Sequence, residues 1–226
     1  MSNRIPILFL PGDTFSSRLP DPVLQQVEHF NNPGTTANDA FKPVTRYFDR
    51  ITRPEQIISS LQQAVQVMLD PADCGPACIS LSQDVQGEVY DYPEDFFKER
   101  IHTIRRSRPD DFQIKEAADL IKKSKKPIII SGGGVFYSDA TEELSAFAQK
   151  HNIPVTQTVM GYSTMKKDHS HYLGVIGGLG GKAANNLSKE TDTAIAIGTK
   201  LADFTTGSWA NFENPDFKLV SINAAR

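Results

Sequence analysis

Cysteine is nearly absent: Cys74 and Cys78 are the only two in 226 residues. Four apart and flanking Gly75-Pro76, they make no redox C-x-x-C, and no second pair completes a zinc site. Such usage implies reduced, structural thiols in a cytoplasmic protein. No apolar run approaches the roughly 20 residues that span a bilayer. The opening Met-Ser-Asn-Arg-Ile-Pro-Ile-Leu-Phe-Leu is too short in its apolar part for a leader and has no small-residue cleavage site; it reads as a buried strand. Basic charge is also in short supply. A net charge of -3 offers nucleic acid no positive field. The basic residues from Lys98 to Arg108 lie among Glu94, Asp95, Glu99, Asp110 and Asp111, the pattern of a solvated linker. No fixed-period repeat occurs.

What is present is an alternation of short apolar runs with helical patterns. Ile5–Leu10 reads as a strand closed by a turn at Pro11-Gly12-Asp13. Asp21-Pro22 can start a helix, with Val23, Leu24, Val27 and Phe30 on one face. Val44–Ile51 is extended. Thr52, with Glu55 three residues on, has the spacing of a capping box, and the apolar period from Ile57 to Leu69 predicts a helix that stops before Pro71. Ala77–Leu81 is a buried strand. From 88 to 111 the period fails, which marks a linker between a first segment, 1–87, and a second, 112–226. The second is predicted to hold a helix near Ala117–Ile121, a strand at Pro127–Ser131 and a helix at Thr141–Lys150. A strand at Ile153–Gln157, a helix at Lys182–Glu190 and strands at Thr193–Ile197 and Phe217–Ile222 follow. Strands alternating with helices indicate an α/β fold with a Rossmann-like parallel sheet. Apolar strands beside both ends, lacking covering helices, suggest a piece of a longer chain or a face that a partner covers.

Two glycine clusters raise the question of a phosphate site. The dinucleotide fingerprint G-x-G-x-x-G follows a strand and is answered by an acidic residue about 20 positions later. Gly132, Gly133 and Gly134 follow such a strand, but Tyr137 stands at the third glycine position, and the next strand region, Ile153–Gly161, has no Asp or Glu. A tight βα turn and a phosphate cradle are the two readings. The second cluster, Gly177, Gly178, Gly180 and Gly181, precedes Lys182 at a helix start. It is either a ligand-facing loop or a close-packed turn. It is no P-loop, because Ala183 follows Lys182.

Other candidates are sparse. Asn38, Asp39, Phe41 and Lys42 form a polar-aromatic patch in an expected loop, the kind of segment that lines sites or merely makes a hydrogen-bonded turn. His169 and His171 alone do not make a metal site, and Ser131 lacks a G-x-S-x-G elbow. No self-sufficient catalytic, cofactor-binding or metal-ligating constellation is legible.

The order of the parts resembles thiamine-diphosphate-dependent enzymes of the acetohydroxyacid synthase and pyruvate oxidase type. The stretches that carry this are "IPILFLPGD", "KPVTRYFDRITRPEQIISSLQQAVQVM", "GPACISLSQDV", "KPIIISGGGV", "HNIPVTQTVMG" and "YLGVIGGLGGKAANNLSKETDTAIAIGTKLADFTTG". "GDTFSSRLPDPVLQQVEHF", "NDAFKPVTRYFDRI" and "DVQGEVYDYPEDFF" look like the branch that hydrolytically opens a cyclic 1,2-diketone in myo-inositol catabolism. The resemblance implies that 1–87 is part of a pyrimidine-binding domain and 112–226 most of a Rossmann-like central domain. It also implies a cytoplasmic homo-oligomer using thiamine diphosphate and Mg²⁺. It sets Asn38, Asp39, Phe41 and Lys42 near an active-site rim. The activating glutamate of such enzymes lies upstream of the strand at Ile5–Leu10, and their G-D-G metal motif occurs nowhere here. The expectation is therefore an inactive fragment that binds no cofactor itself. The alternatives are a carboligase fragment of the acetohydroxyacid synthase kind and a nucleotide- or flavin-binding Rossmann module.

Overall fold

A computed structural model describes residues 3–17, 27, 29 and 31–224. Contacts divide the chain into two units, Met1–Arg106 and Ser107–Ala224. The helix expected from Asp21 to Phe30 lies outside the described residues, apart from Val27 and His29.

In the first unit, β1 (Leu8–Phe9), β2 (Gly12–Asp13), β3 (Tyr47–Ile51) and β4 (Ala77–Ser82) are all parallel. β4 is central, with β3 on one side and β1 then β2 on the other. The turn expected at Pro11–Asp13 is instead a brief break: Leu81 donates to the Pro11 carbonyl, and Gly12 and Asp13 resume the ladder. Proline cannot donate, but its carbonyl keeps the strand in register. α1 (Gln56–Leu69) covers one face of this sheet, packing Ala64 against Ile51, Ala77 and Ile79. Glu55 makes no capping bond. Gln56 takes that role, its Oε1 accepting from the Thr52 and Arg53 amides at 2.7 and 3.1 Å.

The second unit carries α2 (Asp111–Lys123), β5 (Pro127–Ser131), α3 (Gly133–Tyr137), α4 (Thr141–His151), β6 (Val155–Gln157), β7 (Tyr172–Val175), α5 (Lys182–Glu190), β8 (Thr193–Ile197), α6 (Asp203–Thr206) and β9 (Lys218–Ile222). The five strands are parallel in the order β7-β6-β5-β8-β9. The three isoleucines of β5 show why. Ile129 packs with Leu144, Ala148 and Ile195, alongside α2 and α4, while Ile128 and Ile130 pack with Ala184 of α5 on the opposite face. A strand buried on both faces has no polar side, hence the continuous apolar run. Asp192 fastens the start of this sheet, its carboxylate taking the Ser124 hydroxyl and the Lys125 and Lys126 amides.

Candidate functional site

In parallel α/β sheets ligands gather outside the carboxyl ends of the strands, at the point where strand order reverses. In the second unit that point lies between β5 and β8, and both glycine-rich loops leave carboxyl ends of its sheet. Gly132 and Gly134 face the turn after β8: the Gly132 amide donates to Ile197 O at 2.8 Å and the Gly134 amide to Gly198 O at 2.9 Å. A Cβ on Gly134 would stand 2.5 Å from the Gly198 Cα, and one on Gly132 would strike the Gly198 carbonyl and Thr199. Gly161, which follows β6, closes the same spot, since a Cβ there would meet Ser131 O and Gly132. These glycines bring backbone against backbone where the turns after β5, β6 and β8 meet. Gly133 is looser: a Cβ there would lie 3.0 Å from Met160 O.

The second loop divides into two kinds of glycine. Gly177 has φ +95°, presses on the Phe204 carbonyl, and is held at both its N–H and C=O by the Asn185 amide (2.9 and 3.0 Å). Gly180 packs against the backbone of Val175, Ile176 and Gly177. Gly178 has ordinary contacts, and Gly181, at φ −76° and ψ 156°, caps α5 with nothing within 4 Å of a Cβ. We therefore expect Gly181→Ser to be neutral or to stabilise by up to about 0.5 kcal/mol, because serine is the better N-cap. Gly177→Ser is expected to lose at least ~2 kcal/mol to left-handed strain and overpacking. Urea melts of the two variants check this directly. A cavity of about 210 Å³ also opens beyond β6, lined by Gln157, Tyr162, Ser163, Met165, Lys166 and Lys167.

The first unit has a different carboxyl end. Register sets Arg50 of β3 beside Ser80 of β4, and Asp13 of β2 beside Ser82, all on the face opposite α1. Asp13 is fully buried; Arg50 Nε donates to its Oδ2 at 2.6 Å and Ser80 Oγ to the same atom at 2.6 Å. The segment Ala37–Val44 lies over this group as an eight-residue 3₁₀ helix, where the sequence suggested a loop. Its start is a complete capping box: the Asn38 amide donates to Thr36 Oγ1, and the Thr36 amide to Asp39 Oδ2 at 2.7 Å. Thr36-x-x-Asp39 is the sequence signal that would have revealed it.

All four patch residues therefore meet here. Asn38 Nδ2 donates to Gly12 O and Ser80 Oγ, each at 2.7 Å. Asp39 Oδ1 takes Arg50 Nη2 at 3.0 Å and Lys42 Nζ at 2.8 Å. Phe41 stacks on Phe9, with ring centroids 5.6 Å apart, and Lys42 Nζ lies 5.3 Å from the Phe48 ring centroid. Two hydroxyls at this end, Thr14 Oγ1 and Ser82 Oγ, are buried without a hydrogen-bond partner among the described residues. Residues 16 and 17 are tied down by Asp84, whose carboxyl, desolvated yet hydrogen-bonded by both serines, is drawn down to about 2.

Burial alone would raise Asp13 and Asp39. For Asp13 the hydrogen bonds from Ser80 and Arg50 outweigh it, and for Asp39 those from Lys42, the Thr36 amide and Arg50, so both end below the ordinary carboxylate range. Arg50 is raised in turn, its desolvation overcome by the two aspartates. With folded values below the unfolded one, this stabilisation is complete above about pH 4 and is lost as pH falls through the folded values. Thermal melts between about pH 5 and pH 2.5 should show that loss, and Asp39→Asn should flatten the curve.

His169 and His171 lie 5.5 Å apart by ring centroids; His171 Nε2 contacts Asn152 Oδ1, and His169 Nδ1 accepts the His171 amide. Among the described residues no three His, Cys, Asp or Glu converge as metal ligands, and no helix is long and apolar enough to cross a membrane. At Gly132 and Gly134 the turn after β8 excludes any side chain, so both positions require glycine.

A parallel α/β unit of this order, with a glycine-packed switch point, defines a class. Residues 114–226 match the family described as thiamine pyrophosphate enzyme, central domain, and the chain belongs to that family. Its relatives include 3D-(3,5/4)-trihydroxycyclohexane-1,2-dione hydrolases. That of Clostridium perfringens strain 13 is 51% identical over 224 residues, covering 99% of this chain and 35% of the relative. The hydrolase of Bacillus subtilis strain 168 is 49% identical over 226 residues, covering 100% and 36%. That of Clostridium tetani is 50% identical over 222 residues, covering 98% and 34%. The chain thus spans about a third of the length of these relatives.

Proposed function

We propose that this chain is part of an enzyme that hydrolyses 3D-(3,5/4)-trihydroxycyclohexane-1,2-dione. The observation that carries the reading is identity near one half, sustained over 98–100% of the chain, to hydrolases of that name. Water is added across the ring C–C bond between the adjacent carbonyls. One carbonyl carbon leaves as a carboxylate and the other as an aldehyde, giving the open-chain 5-deoxy-glucuronate of myo-inositol catabolism. On this reading residues 1–87 belong to a pyrimidine-binding domain, and the carboxyl end of the first unit lies at the rim of the reaction site. Lys42, whose side chain is half exposed, presents a cation there to solvent. Thiamine diphosphate and Mg²⁺ serve the reaction but are gripped by residues other than those described. The working enzyme is a cytoplasmic homo-oligomer.

The test is direct. The complete reading frame, supplied with thiamine diphosphate, Mg²⁺ and the cyclic dione, should yield an acid heavier than the substrate by one water, seen by mass spectrometry. The 226-residue chain alone should show no saturable cofactor binding by calorimetry. Absence of the acid from the complete protein would sink the proposal, and tight cofactor binding by this chain would contradict the assignment of the grip elsewhere.

A further inference from the structure

Arg50 lies within a stretch that carries the resemblance but has no site role there, yet the first unit's polar end is organised around it. Its guanidinium has three partners. Nε is anchored on Asp13, buried in the sheet, while Nη2 reaches Thr36 Oγ1 at 2.9 Å and Asp39 Oδ1 at 3.0 Å in the overlying segment. Asp13 in turn is fixed by Ser80 and by the Thr14 amide. Asp39 passes the connection on to Lys42 through the same Oδ1 atom. Besides Arg50, contacts that hold this segment to the sheet are those of Asn38 with Gly12 and Ser80, the Phe41–Phe9 stack and Lys42 over the Phe48 ring.

We propose that Arg50 is a positioning residue: its fork joins the buried strand end to Thr36 and Asp39 and thereby fixes Asn38–Lys42 in the geometry that meets substrate. This rests on the diketone-hydrolase reading for its substrate and on the geometry alone for its mechanism. A guanidinium suits the task because it presents donors in a rigid plane to several acceptors at once. An ammonium of equal charge satisfies Asp13 and cannot span to the other two. Charged groups around the fork are Asp13 from β2 and Asp39 and Lys42 from the 3₁₀ segment; Asp49, next to Arg50 on β3, points to the other face of the sheet.

The test uses two variants that keep Asp13 neutralised and so should fold. Arg50→Lys retains the charge and loses the fork; Asp39→Asn keeps the acceptor for the Thr36 amide and loses the ion pair. Hydrogen exchange by mass spectrometry is read on the complete protein at residues 36–45, with 56–69 of α1 as internal reference, together with KM and kcat for the cyclic dione. Both variants should speed exchange at 36–45 by about tenfold with α1 unchanged, and raise KM about tenfold with kcat lowered less than about threefold. Unchanged exchange at 36–45, or equal loosening of α1, would overturn the proposal. So would faster exchange with an unaltered KM, since the segment would then be anchored but remote from substrate. If the unsubstituted protein fails to open the dione, the functional reading falls, and the exchange comparison still decides whether Arg50 holds the segment.

Discussion

Gly198→Val is expected to destabilise the second unit by about 4 kcal/mol, enough to leave little of a typical domain's stability. Two costs add. Gly198 has φ +60°, where a β-branched residue loses roughly 1–2 kcal/mol. A Cβ would also stand 2.6 Å from Gly134 Cα and 2.7 Å from both Gly134 C and Val135 N. Those neighbours are backbone, anchored by the Gly134 N–H to Gly198 O bond, so they cannot swing aside as a side chain would. Overpacking of this kind costs typically about 1–3 kcal/mol where relief is possible, and here it is not. Equilibrium denaturation checks the figure. A loss below about 1 kcal/mol would mean that the turns after β5 and β8 are not locked together.

Arg50→Met carries the second large effect, about 3 kcal/mol lost in the first unit. It leaves Asp13 at zero exposure with no cation, and an uncompensated buried charge costs far more than the pair contributed. The double variant Arg50→Met with Asp13→Leu should recover much of that loss, because two apolar groups replace a desolvated pair. Thermal melts of the single and double variants distinguish this from simple loss of packing, which the second substitution would deepen.

How far the sequence can be read follows from where the determinants lie. Ile128–Ile130 and the apolar period from Ile57 to Leu69 are local, so β5 and α1 are legible. β7 is not: Tyr172–Val175 is a partly exposed edge strand interrupted by Gly174 at φ +91°, and the neighbouring histidines obscure it. Gly161 and Gly198 carry no signal of their own because a single glycine has many uses, and what fixes theirs is contact with residues 131–135, distant in sequence. The patch Asn38, Asp39, Phe41 and Lys42 is visible as residue types, but its secondary structure depends on recognising Thr36 as its cap. Asp13, Arg50 and Ser80 come from three strands. Each looks like an ordinary polar residue in a strand until register brings them side by side.

The proposed ligand-facing surface is the carboxyl end of the first unit, in preference to the glycine loops of the second. Hydrogen-exchange footprinting of the complete protein, with and without the ring-opened acid product, tests it most directly. Residues 36–45 should exchange more slowly on product binding, with 132–134 and 177–181 unchanged. Protection confined to either glycine loop, with 36–45 unaffected, would contradict it.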